Sequence, residues 1–410
     1  MRRFLINIYA YSFFTDFILI YPIYAVMFMD FGLTPLQISI LFMAWAGTAF
    51  VFEVPSGVFA DKYPRKNILI FAEATRIVGY LLWLFFPSFI GFLLGFVLWG
   101  IKSAFTSGTY ESLIYDELKV MGQEGNYTKI IGRTQGIHFA SMLLAGVGAS
   151  LAIRFGYSIV LLLSILSLAF SSLTLSLLPR ADAVQSTQEK RYFHILREGL
   201  RFAFSHSSVL RIIVFVAFAQ TLFGALDEYW SIFAYQVGLP LAGIGLFHTM
   251  YDGVQALATL IAHRAERLPQ QLFYLFFLIN GILLLIASTI FTVLTLPILF
   301  IFCFLFTITD IVMYTKLHHQ IPSATRATIA SVRGFFVELG SILVFLFFGL
   351  FAKVLGYQYS FVAFGWIIII IGLTYLVTSI GKNYERDGNG GGSLTYNRRS
   401  HEGLLLGSKR

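Results

Sequence analysis

Polar and apolar positions divide this chain into twelve long hydrophobic stretches, at 4–29, 36–60, 67–86, 89–114, 131–153, 157–178, 209–235, 242–262, 271–293, 296–317, 328–352 and 357–381. A hydrocarbon layer of about 30 Å is crossed by roughly 20 apolar residues in a helix. Inside lipid a backbone must satisfy its own hydrogen bonds, which leaves helices and closed barrels. These stretches are too long and too uniformly apolar for the alternating strands of a barrel. The pattern therefore predicts an all-α membrane protein with twelve transmembrane helices. The longest polar interval between spans runs from Pro179 to Ser208. It divides the chain into two pseudo-symmetric six-helix bundles at 1–178 and 209–381, with a linker at 179–208 and a tail at 382–410. In the linker Phe193, Leu196, Leu200 and Phe204 recur at helical spacing, which predicts a short amphipathic helix on the membrane surface. The tail, with Gly388, Gly390, Gly391 and Gly392, is expected to be disordered.

Composition agrees with this reading: 57% of the residues are hydrophobic and 12% charged, with a mean hydropathy of +0.77. The net charge of +8 does not point to nucleic acid, because most Lys and Arg lie in connecting segments. With the N-terminus in the cytoplasm, Lys62, Arg65, Lys66, Lys119, Lys129, Arg264 and Arg267 all fall on the inner side, and only Arg154 and Lys353 fall outside. That asymmetry predicts a multi-pass protein of the cytoplasmic membrane with both termini cytoplasmic. Arg2 and Arg3 open the first span rather than a cleaved signal, since no small-residue cleavage pattern follows. Cys303, the single cysteine, rules out a disulfide framework within one chain and is expected to be inert. The halves look duplicated at a shift of about 200 residues: Arg133 falls on Arg333, His138 on Glu338, and Gly156-Tyr157 on Gly356-Tyr357, while Asp16 has its counterpart near Asp227. Duplicated halves of this kind place a substrate site between them at mid-membrane.

Between spans 2 and 3 the chain reads Gly57-Val58-Phe59-Ala60-Asp61-Lys62-Tyr63-Pro64-Arg65-Lys66. Gly57 is expected to let helices approach closely, Asp61 to pair with a helix end, and the basic cluster to stay with cytosol and anionic lipid. The run resembles the signature loop of the major facilitator superfamily, with Pro64 in place of the usual second glycine. The resemblance, together with the six-plus-six topology, covers almost the whole chain. It implies that Gly57, Asp61, Lys62, Arg65 and Lys66 form a conformational latch between the halves. In the second half the matching stretch, Thr259 to Arg267, carries His263 where the acid would be. Span 5 has Gly146 and Gly148 but lacks the Gly-Pro pair of drug and proton antiporters, although Glu53-Val54-Pro55-Ser56-Gly57 looks like that of efflux members.

Ionisable residues at membrane depth cost at least about 2.5 kcal/mol each near the centre and normally face a cavity or a partner. Here they are Asp16, Glu53, Glu73, Arg76, Lys102, Glu111, Arg133 and His138 in the first half, and Asp227, Glu228, His248, Asp252, Asp310, Arg333 and Glu338 in the second. The resemblance implies that spans 1, 4, 7 and 10 line the central cavity, which makes Asp16, Lys102, Asp227, Glu228 and Asp310 its charged groups. Tyr21, Tyr229 and Trp230 accompany them. Acids beside aromatic faces suit a cationic or amphipathic organic solute, so Asp16 and Asp227 or Glu228 are expected to bind solute cation or proton. Glu53, Glu73, Arg76, Arg133, His138, Arg333 and Glu338 are expected to pair within the bundle. His318-His319 reads as a solvated loop rather than a metal pair.

The chain therefore reads as a secondary transporter of a small solute, with protons or another ion as coupling partner and export as the direction. Uptake of a nutrient or metal chelate is the alternative, and a non-transporting receptor with the same fold is an alternative of another class. No nucleotide loop, Ser-His pair or metal-spaced set stands in the sequence, so no enzyme activity, cofactor or metal is expected. A monomer is expected.

Overall fold

The computed structural model of the protein describes residues 1–178, 201, 205, 207–321 and 326–388. Almost all of the expected amphipathic linker helix and most of the tail lie outside these residues. The first half comprises α1 (Arg2–Asp16), α2 (Tyr24–Asp30), α3 (Pro35–Lys62), α4 (Arg65–Phe85), α5 (Phe89–Thr106), α6 (Thr109–Val120), α7 (Tyr127–Ala152) and α8 (Tyr157–Ser176). The second comprises α9 (Ser207–Asp227), α10 (Trp230–Gln236), α11 (Leu241–Ala265), α12 (Gln270–Ile290), α13 (Leu296–His319), α14 (Arg326–Leu355) and α15 (Tyr357–Gly388). Among the described residues, 10 helical stretches are long and apolar enough to cross a membrane. Two of the expected spans fall outside that set: the first is split into α1 and α2, and the eighth, α11, carries His248, Asp252, His263 and Arg264. The protein is an all-α membrane protein.

Local sequence accounts for the helix ends. Thr34 caps α3 through a reciprocal capping box with Gln37, and Pro35 occupies the first turn, where its missing N–H costs nothing. Gly156 and Gly356 turn the chain into α8 and α15 at φ of 91° and 87°, a region side chains avoid. The same Gly-Tyr turn recurs at the same place in each half.

Three predicted spans are interrupted. The first, expected to run unbroken to about Met29, leaves helix from Phe17 to Ile23; the seventh breaks at Glu228 and Tyr229; the fourth breaks at Ser107 and Gly108, then continues as α6 to Val120. Hydropathy does not register the first break, because Phe17 to Ile23 remain apolar or aromatic, and the other two are only two residues long inside apolar runs. At the other end of the chain, α15 runs on to Gly388, into the segment expected to be disordered.

Within the first half α4 packs on α5 and α8, α3 on α5, and α1 on α7 and α8; within the second α12 packs on α13 and α15, α11 on α13, and α9 on α14. Two long seams join the halves, α3 with α14 and α7 with α11, and α2 also meets α10. Both long seams are built on small residues, as close helix crossings in lipid require. A Cβ on Gly146 would stand 2.6 Å from the Gly245 carbonyl oxygen, and one on Gly349 would stand 2.5 Å from the Ser39 Cβ. The Ser150 Oγ accepts the Leu246 amide at 2.9 Å, and the Thr249 hydroxyl donates to the Leu143 carbonyl at 3.0 Å.

The halves meet most fully at the end of the bundle formed by the α2–α3, α7–α8 and α10–α11 turns, here called distal. There Asp30 accepts hydrogen bonds from Tyr157 of α8 (2.5 Å) and Tyr235 of α10 (3.4 Å). Ser39 and Tyr229 share a hydrogen bond of 2.7 Å. At the opposite, proximal end, a Cβ on Gly57 would meet nothing within 4 Å, so the close helix approach expected there is absent. Gly57, Val58 and Phe59 are exposed.

Candidate translocation site

The site is built around two broken helices. α1 ends at Asp16, and α9 ends at Asp227, at matching places in the two halves. A helix that stops inside a bundle leaves carbonyls without intrahelical partners, and its C-terminal end carries partial negative charge.

In the first half that negative charge is answered by cations. Arg76 of α4 donates to the Thr15 carbonyl at 3.3 Å and through Nε to the Tyr80 hydroxyl at 3.0 Å, and its guanidinium lies 4.4 Å over the Trp99 ring. Glu73, one turn earlier, is fully buried and accepts from Thr15 Oγ1 at 2.7 Å and from the Tyr11 hydroxyl at 3.3 Å. The two residues expected to neutralise each other thus act side by side on the end of α1 rather than as a direct pair. Asp16 itself takes an imidazole: His138 Nδ1 on α7 stands 2.7 Å from Asp16 Oδ2. His138 and Asp16 keep 37% and 28% of their side-chain surface accessible, so water and protons reach the pair. Both line a cavity of about 200 Å³ that Lys102, Tyr110, Thr134 and Gln135 also border.

In the second half the charges at the break are acids, and Asp227 and Glu228 are half-buried. Glu228 accepts a hydrogen bond from Tyr24 of α2, which ties the two broken helices together. Tyr229 stacks on Phe348 with ring centroids 3.9 Å apart, and Trp230 donates to the Tyr251 hydroxyl at 3.0 Å. Both aromatic side chains are fully buried in this conformation, which makes them the packing of the closed distal end. Among the described residues, no cation lies within ion-pair distance of Asp227, Glu228 or Asp252.

A smaller cavity, of about 20 Å³, joins the two halves. Asp16, Tyr21 and Pro22 line it from the first break, Met142, Ala145 and Gly146 from α7, and His248 and Asp252 from α11. The His248 Nε2 is buried without a hydrogen-bond partner. The sequence marked His248 and Asp252 as intramembrane ionisable groups but did not assign them to the site. Their spacing of four on one helix face, at the level of the Gly146–Gly245 contact, was the available signal.

The remaining residues lie elsewhere. Arg333 donates to Gln220 Oε1 at 2.9 Å and stacks 4.1 Å over the Tyr314 ring, and Asp310 stands near both Gln220 and Arg333. Glu53 is exposed, accepts from Ser107 at 3.4 Å and faces another acid, Glu338, across the α3–α14 seam. Arg133 is exposed. Neither Glu53 nor Arg133 is the buried partner expected of it, because each side chain is exposed.

The basic loop serves the first half in this conformation. Arg65 pairs with Asp116 at 3.2 Å, Lys66 donates to the carbonyls of Ser176 (2.6 Å) and Leu178 at the end of α8, and Lys62 lies 5.9 Å over Tyr63. The Asp61 side chain lies outside the described atoms. His318 and His319 belong to the last turn of α13 rather than a loop, with His319 Nε2 3.1 Å from Glu266. Cys303 is buried.

Similarity to known proteins matches this geometry. The chain is 24% identical over 358 residues to the uncharacterized MFS-type transporter YxaM of Bacillus subtilis (strain 168), covering 83% of this chain and 87% of that one. Over 113 residues it is 28% identical to the uncharacterized MFS-type transporter MJ1560 of Methanocaldococcus jannaschii, 27% of this chain and 29% of that one. Among solved structures, the nucleoside transporter NupG superposes with a TM-score of 0.74 at 13% identity, over 91% of this chain and 98% of that one. The D-xylose-proton symporter superposes at 0.70 and 13% identity, over 91% and 96%. At these identities the structures show the fold. The Major Facilitator Superfamily model matches residues 6–345, most of the chain and both broken helices. The protein belongs to the major facilitator superfamily.

Proposed function

We propose that the protein is a secondary active transporter that moves a small cationic or amphipathic organic solute out of the cell, drawing on a proton gradient. The observation that carries this reading is the unequal neutralisation of the two helix breaks. Asp16 already has an imidazole partner and a water-accessible cavity, which suits a proton. Asp227 and Glu228 sit at the negative end of α9 with no cation in reach among the described residues. A positively charged solute, cradled by aromatic rings once the distal packing opens, would supply the missing charge.

With both termini cytoplasmic, as the distribution of basic residues predicts, the distal end faces outward and this conformation is the inward-facing one. Alternating access then requires the Tyr24–Glu228, Ser39–Tyr229 and Asp30–Tyr235 hydrogen bonds to part while the proximal ends close. Each is a polar contact between halves, and parting them also unpacks Tyr24 and Tyr229, which are buried in this conformation.

The test is flux of a chemically varied solute panel into proteoliposomes, with and without an imposed pH gradient. Accumulation of organic cations that collapses with the gradient is the expected result. Gradient-independent movement of a neutral nutrient would favour facilitated uptake, a reading to which the missing Gly-Pro pair in span 5 lends support. Binding without movement would identify a receptor.

A further inference from the structure

The α7–α11 seam carries more ionisable chemistry than a structural hinge needs. His138 lies two turns from Gly146 on α7, where the α7 and α11 backbones approach most closely. Across that contact Asp252 shares a cavity with Asp16, and both His138 and Asp227 lie within electrostatic reach of Asp252. One imidazole therefore faces two carboxylates, one from each half, and touches only the first in this conformation. Buried carboxylates without a partner are costly at this depth. His248, one turn from Asp252, leaves Nε2 without a partner in the same cavity.

We infer that protonated His138 is a shared counter-ion, held by Asp16 while the distal end is closed and handed to Asp252 when the halves rock about the Gly146–Gly245 contact. The inference rests on the proton-coupled reading above and adds to it the group on the second half that receives the charge. When the seam rotates, His138 and Asp252 move relative to each other because they belong to different halves, whereas His138 and Asp16 move largely together. Other groups set the local field: Tyr11 on α1, Arg76 on α4, Lys102 on α5, Tyr110 on α6, Asp227 on α9 and His248 on α11. Lys102 and Arg76 belong to the first half with Asp16, and they remain with it in both states. Asp252 has no such cation, so among the described residues His138 is the positively charged group that a small rotation can bring to it.

The test reads conformation and needs no solute. In the full chain with Cys303→Ser, spin labels at Phe155→Cys and Leu294→Cys, exposed distal positions on opposite halves, report the ratio of distal-open to distal-closed molecules in nanodiscs. Asp16→Asn should raise that ratio roughly fivefold or more, the lower range of coupling between sites. Adding Asp252→Asn should return it toward the parent value. In a His138→Gln background neither substitution should matter. Asp252→Ser removes the same charge, so misfolding of one variant leaves the test standing. The inference is overturned if Asp252→Asn leaves the Asp16→Asn ratio unchanged or raises it further, or if either effect persists without His138. Proteoliposome flux that ignores pH, alongside the expected ratios, would sink proton-coupled transport and leave the counter-ion exchange intact.

Discussion

The two helix breaks occupy equivalent places in the two halves and are chemically unlike. At the first, α1 stops for seven residues, Phe17 to Ile23, and Arg76, Lys102 and His138 gather around its end. At the second, α9 stops for two residues, Glu228 and Tyr229, and among the described residues no cation lies within ion-pair distance of its acids. The same backbone device stands in both halves, and one end is a neutralised pair while the other, among the described residues, has no cation within ion-pair distance. A fixed cation at both would leave nothing for a charged solute to do. A fixed cation at neither would leave several carboxylates uncompensated inside the membrane.

The largest effect should come from breaking the neutralised end. Arg76→Met leaves Glu73 and the end of α1 without their cation, and removing one member of such a buried network costs about 3–5 kcal/mol. Heat denaturation in detergent should show a much lower midpoint, with Glu73→Gln in the same chain restoring part of it. An unchanged midpoint would mean that the first break is not held by this network.

A smaller loss is expected at the seam between the halves. Gly245→Val places methyl groups against the α7 backbone near Gly146, and overpacking of this kind costs about 1–3 kcal/mol. Because the contact lies between halves, the substitution should impair transport more than it impairs folding. Equal loss of both would argue that the seam is static.

The link between the breaks should be weaker still. Tyr24→Phe removes the hydrogen bond to Glu228, worth about 1 kcal/mol, and should favour the distal-open state roughly fivefold. Labelling of a distal cysteine by an impermeant thiol reagent would register it. Least of all should come from Arg65→Gln, which opens a partly exposed pair with Asp116 worth less than about 1 kcal/mol. If that substitution changed the open-to-closed ratio as strongly as Tyr24→Phe, the basic loop would be reaching the second half after all.

Most of the architecture was legible in the chain because lipid imposes one rule on every span, length and apolarity. The breaks were not, since Phe17 to Ile23 is as hydrophobic as the helix around it and hydropathy averages over conformation. The site was half legible. Asp16 and Asp227 stood out as costly residues in apolar runs, and the repeat linked them. The partner of Asp16 did not follow from spacing, because His138 lies 122 positions away and meets it only through packing of α1 on α7. Tyr229 and Trp230 were read as cavity lining from their neighbours in sequence, yet burial against Phe348 and Tyr251 makes them packing in this state.

The central claim is that proton and solute divide between the two breaks. It is tested most directly by uptake of an organic cation into proteoliposomes under an imposed pH gradient, comparing Asp16→Asn with Asp227→Asn. The account predicts that Asp16→Asn keeps downhill exchange and loses the response to the gradient, while Asp227→Asn loses both. Gradient-driven accumulation that survives Asp16→Asn would contradict it.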